Sequence, residues 1–133
     1  MQSNEINKLI DNITSDISDY NIAILISAIF KNKYKYIGNN KWIYYNYSEK
    51  IWQNDIKNKK LIDDINRNIT NIILNRINHY NELKNIDIDD IDKYNNYDII
   101  NNKLLLIINK LQNKKYLNSI IKETKSFFNN DIN

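Results

Sequence analysis

Tyr34 to Trp52 reads Y-K-Y-I-G-N-N-K-W-I-Y-Y-N-Y-S-E-K-I-W, and this stretch decides the fold. Tyr34, Tyr36, Trp42, Tyr44, Tyr45, Tyr47 and Trp52 are strand-favouring aromatics, broken once by Gly38-Asn39-Asn40 and again by Ser48-Glu49-Lys50. Both breaks are turn chemistry, because Gly and Asn tolerate positive φ at little cost. The pattern predicts a small antiparallel hairpin or three-stranded meander over residues 34–53. Two strands alone are marginal in water, so one aromatic face must pack on a helix.

The flanks supply helices. Ile6, Leu9, Ile10, Ile13 and Ile17 recur at three- and four-residue spacing and predict a first amphipathic helix. Ser18 and Asp19 offer acceptors for free N–H groups, marking the start of a second helix, which carries Ile22, Ala23, Leu25, Ile26, Ile29 and Phe30 and is expected to be the most buried. Asp55 is the expected cap of a long third helix, with Leu61, Ile62, Ile65, Ile69, Ile72, Ile73 and Ile77 along one stripe to about Tyr80. Ile86 to Asp92 alternates Ile with Asp, and its charge density predicts a solvated acidic loop over about residues 85–97. Two helices, Ile99 to Leu111 and Tyr116 to Phe128, follow, parted near Asn113; the last is expected to turn Leu117, Ile120, Ile121, Thr124 and Phe127 inward. The expected fold is α+β, mainly α, with about five helices and an inserted aromatic hairpin in a single domain over residues 1–133.

Composition narrows the function. At 133 residues one domain with a modest core is the default. Asn and Ile together exceed a third of the chain, and Pro is absent, a bias expected of a very AT-rich genome. The absence of Cys excludes disulfides and thiolate metal sites and fits a reducing compartment. The N-terminal residues lack the basic-then-apolar pattern of a signal peptide, and Ile22 to Phe30 is far short of the roughly 20 apolar residues of a membrane span. With Gly38 as the only glycine, a glycine-rich phosphate loop cannot be built; with His79 as the only imidazole, nucleophilic triads and zinc sites are equally unsupported. Asp63 and Asp64 point about 100° apart on a helix, and the Asp87, Asp89, Asp90 and Asp92 run lacks the glycine and closing Glu of a calcium loop. No catalytic site, cofactor or metal is expected.

Charge is uneven along the chain. The net +3 hides a segment, residues 31–60, where eight lysines face only Glu49 and Asp55. There Lys31, Lys33, Lys35, Lys41 and Lys50 interleave with the aromatics. Lysines neutralise phosphates while aromatic faces stack on unpaired bases, which is the chemistry of single-strand binding. Lys31, Lys33, Lys35, Lys41, Tyr36 and Tyr44 are the candidate nucleic-acid contacts, and Phe30, Trp42 and Trp52 the candidate structural anchors, both tryptophans fixing the hairpin to the helices. The same aromatics are also ordinary core material for a hairpin, and the same lysines ordinary surface.

From Asn21 to Trp52, the run N-I-A-I-L-I-S-A-I-F-K-N-K-Y-K-Y-I-G-N-N-K-W-I-Y-Y-N-Y-S-E-K-I-W resembles the domain preceding the superfamily III helicase in primase-helicases of poxviruses, giant viruses and some phages. Members show a helix ending in Phe or Tyr and basic residues, a strand, a Trp-Tyr-x-Tyr/Phe strand and a closing Trp; Trp42, Tyr44 or Tyr45, and Trp52 match. Lys110-Leu111, Tyr116, Ile120, Glu123 and Phe127-Phe128 are similar to the family's last helix, which runs toward the helicase core. The resemblance implies a non-catalytic, scaffolding role at a replication fork, with a helicase or ATPase as partner, single-stranded DNA as a further contact and the host cytoplasm as its place. No primase precedes Met1 and no ATPase follows Asn133 in this sequence, which leaves a free-standing fragment, a split gene and an excised piece of a longer chain all open. Two rivals stay open: an all-helical viral inhibitor of host death signalling, which would have no sheet, and a free-standing single-strand DNA-binding module.

Overall fold

The computed structural model describes residues 2–129. Helix α1 (Asn4–Ser15) and α2 (Asp19–Phe30) lead into strands β1 (Tyr34–Tyr36), β2 (Trp42–Asn46) and β3 (Ile51–Asn54). A 3-10 turn (Ile56–Asn58), α3 (Lys59–Asp64), a π-helical turn (Ile65–Ile69) and α4 (Thr70–Ile86) follow, then α5 (Ile91–Gln112) and α6 (Lys114–Phe128). The architecture is α+β and mainly α, with one small antiparallel sheet in the order β1-β2-β3.

Local chemistry sets the boundaries. The Ser3 and Ser18 hydroxyls accept from the backbone N–H groups of Ile6 and Asn21, at 3.2 and 3.1 Å, and so start α1 and α2. Asp55 is the cap expected of it, but across an inserted turn. Lys57 and Asn58 adopt left-handed φ of 56° and 59°, and the Asp55 carboxylate reaches past them to accept from Lys60 N–H at 2.8 Å and Leu61 N–H at 2.9 Å. Asn113 separates α5 from α6 and caps the latter, accepting from Lys115 N–H.

The third helix is one run from Lys59 to Ile86, interrupted by the π turn. Leu61, Ile65, Ile69 and Ile73 are all fully buried. A strict four-residue spacing overshoots a 3.6-residue turn by about 40° per step, so a plain α-helix would carry this stripe out of the core. The wider π turn absorbs the drift and keeps all four side chains inward.

The core gathers Ile22, Leu25 and Ile26 of α2, the Leu61–Ile73 stripe, Leu104 and Ile107 of α5, and Ile120 of α6 around the inner face of the sheet. Helix α2 is the most deeply covered, as its apolar density implies. Two expectations are corrected. The acidic segment is no loop over 85–97, because only residues 87–90 lie between α4 and α5. Asp90 caps α5 by accepting from Lys93 N–H, and Asp92 sits in its first turn, where a negative charge favours the helix dipole; the acids that look like solvation signals start a helix. On α6 it is Phe128 that enters the core, while Phe127 stays exposed against Tyr20.

Candidate nucleic-acid interface

Strand pairing divides the aromatics between two faces. In β1–β2, Tyr34 pairs with Tyr44, Lys35 with Ile43 and Tyr36 with Trp42; in β2–β3, Ile43 pairs with Asn54, Tyr44 with Gln53 and Tyr45 with Trp52. Because successive side chains alternate, Tyr34, Tyr36, Trp42 and Tyr44 share the inner face, whereas Lys35, Ile43, Tyr45 and Trp52 share the outer one.

The inner face is structural. Trp42 is 1% exposed and packs edge-on against Phe128, with ring centroids 5.5 Å apart, and against Tyr36 at 5.3 Å. Phe30 is buried edge-on to Tyr34. Tyr34 donates its hydroxyl to the carboxylate of Asp64, which also receives Lys33 Nζ at 2.9 Å. Burial and that carboxylate push the Tyr34 phenol far above its ordinary range, so it stays protonated. Phe30 and Trp42 both lie buried in the core behind the sheet.

Of the residues singled out for nucleic acid, Tyr36 and Tyr44 lie on this inner face, half-buried against the core. The Tyr36 hydroxyl accepts from Asn40 N–H, and Lys125 lies over its ring. Tyr44 donates to Gln53 Oε1 at 2.9 Å. Both pack against the core from the inner face of the sheet. Lys33 is held by Asp64, while Lys31, just beyond α2, and Lys41, at the foot of β2, are exposed.

Trp52 is the reverse case. Expected to fix the hairpin to the helices, it stands on the outer face and has no place in the hydrophobic core. Its ring meets Tyr45 edge-on at 5.4 Å, Tyr45 meets Tyr47 at 4.9 Å, and Lys35 Nζ lies 4.3 Å from the Trp52 ring centre. Tyr47 is 62% exposed. A row of three rings with a cation over one end therefore lies on the outer face, with Tyr47 exposed and Tyr45 and Trp52 partly covered. Sequence reasoning missed Tyr45 and Tyr47, although a two-residue count from the buried Trp42 places them opposite it.

Elsewhere the surface gives little chemistry. His79 is exposed beside Tyr80, and among the described residues no three His, Cys, Asp or Glu side chains converge to hold a metal ion. No helix among them is long and apolar enough to cross a membrane. No protein-family model and no curated protein matches this chain.

Proposed function

We propose that this chain is a non-catalytic module that contacts single-stranded DNA through the outer face of its sheet, within a viral replication assembly whose ATPase is a separate domain or protein. The observation that carries this reading is the outer-face row of Tyr47, which is exposed, and Tyr45 and Trp52, which are partly exposed, with Lys35 beside it. Flat aromatic surfaces accept any base, and each base stacked contributes about 1–3 kcal/mol. Lys31, Lys35 and Lys41 border the sheet and supply cations for the phosphates. The replication setting comes from the resemblance of Asn21 to Trp52, including the Trp42 and Trp52 positions. The all-helical rival is disfavoured by the three-stranded sheet. Helix α6 packs on α2 and β1, which suits it to pass position from the sheet to a neighbouring ATPase.

The test is a titration with labelled oligothymidylate. Trp52→Ala and Tyr45→Ala are expected to weaken binding roughly tenfold each, since 1.4 kcal/mol is a factor of ten. Tyr36→Phe on the inner face should leave it unchanged, and binding should fall steeply with salt. Equal affinity for wild type and the outer-face variants would remove the reading.

A further inference from the structure

The four most exposed isoleucines among the described residues fall into two places. Ile86, Ile88 and Ile91 are 75%, 62% and 65% exposed at the tip between α4 and α5; Ile56, 76% exposed, stands in the 3-10 turn before α3. Isoleucine gains nothing from water, and three within six residues form a patch rather than a scatter.

Charge distinguishes the two places. The tip lies in residues 86–98, where five aspartates face only Lys93. Asp87 is occupied by the Tyr97 hydroxyl and Asp90 by its capping bond, but Asp89 and Asp92 have no hydrogen-bond or ion-pair partner among the described residues. Ile86 and Ile91 flank a shallow depression lined by Asp87, Asp89 and Asp90. Around Ile56 the sign is opposite. Lys57 and Lys59 are exposed and unpaired, Lys60 lies over the Tyr44 ring, and Ile56, Tyr44, Lys59 and Lys60 line a hollow whose one exposed acid is Asp63. Lys59 and Lys60 also occupy the first turn of α3, where the positive end of the helix dipole disfavours cations. Helix stability does not explain their place.

These patches sit at the two ends of one helical run, Lys59 to Ile86, roughly 40 Å apart at 1.5 Å per residue. They cannot meet within one molecule. We infer that copies of this chain associate head to tail, the Ile86–Ile88–Ile91 tip of one seating on the Ile56 hollow of the next, with Asp89 and Asp92 facing Lys57 and Lys59. Such a contact uses two different surfaces, so it propagates into open chains or closes into a ring instead of stopping at a dimer. Its reliance on exposed charge pairs makes it a contact that weakens with salt. It leaves Tyr45, Tyr47 and Trp52 free and stands apart from DNA binding.

Sedimentation equilibrium on the full chain without DNA tests it, from micromolar to sub-millimolar protein at low salt. The weight-average mass should climb past the dimer with concentration and return to the monomer at high salt. The reversals Asp89→Lys with Asp92→Lys, and Lys57→Glu with Lys59→Glu, should each give a monomer with an unchanged circular dichroism spectrum. Mixing the two reversed proteins should restore association, because each then offers the patch the other lacks. A wild type that stays monomeric throughout, reversals without effect, or a mixture that stays monomeric would each overturn the inference.

Discussion

Truncating the two tryptophans to alanine separates the faces of the sheet. Trp42 is enclosed between Phe128 and Tyr36, and loss of a buried Trp side chain costs about 3–5 kcal/mol. One feature reduces that figure: Trp42 Nε1 is buried without a hydrogen-bond partner, a penalty of about 1–3 kcal/mol that truncation relieves. The net loss is therefore about 2–3 kcal/mol, or about 7–10 °C in Tm for a domain of this size. Trp52 loses an edge contact with Tyr45 and the cation of Lys35, each worth about 1 kcal/mol at a partly exposed site, so its truncation should cost about 1–2 kcal/mol. Urea unfolding followed by far-ultraviolet circular dichroism measures both. Each variant keeps one tryptophan, and the emission of Trp52 in Trp42→Ala should lie to the red of that of Trp42 in Trp52→Ala. Equal losses, or a larger loss at Trp52, would refute the assignment of faces.

Two further predictions follow from the cluster behind the sheet. Lys33→Glu places a carboxylate beside Asp64, itself largely covered, and should cost about 2–4 kcal/mol in denaturant unfolding, whereas Lys31→Glu and Lys41→Glu should stay within about 0.5 kcal/mol of wild type. A nucleic-acid test that reverses Lys33 along with its neighbours would therefore confuse unfolding with lost binding. Tyr34 has a raised pKa in the folded protein, so above about pH 10 the unfolded chain sheds a proton that the folded one keeps, and stability falls as pH rises. Tyr34→Phe should give a shallower decline over that alkaline range in unfolding titrations; an unchanged slope would count against the buried hydroxyl.

Much of the fold could be read from side-chain period and caps. Ser18, Asp55 and Asn113 each have a side-chain oxygen that serves a helix start near where the sequence places one, and the aromatic run with its two turn tripeptides forms the three strands. The misreadings have local causes. Aspartates at residues 87–92 look solvated by composition, but whether an acid is free or caps a helix depends on the residues after it, and Ile91, Tyr94, Tyr97 and Asp98 begin a helical pattern that the alternating Ile-Asp run obscures. The π turn is visible as four apolar residues spaced by four, a spacing that a count of hydrophobic faces accepts without registering its drift.

The candidate residues were drawn from both faces of the sheet, and in a strand one residue decides the face. Naming Trp42 an anchor and Tyr44 a base contact asks two side chains on the same face to do opposite things. Once Trp42 is the buried one, alternation sends Tyr44 inward with it and Tyr45 outward; the antiparallel register then brings Trp52 beside Tyr45. Trp52 could not be assigned from its own neighbourhood, because its face depends on the length of the Tyr47–Lys50 connection, where Lys50 adopts a left-handed φ of 59°. A connection one residue longer or shorter would turn Trp52 toward the helices and leave the outer face with two aromatic rings and no tryptophan. The outer aromatic row is thus a property of the turn as much as of the aromatics it aligns.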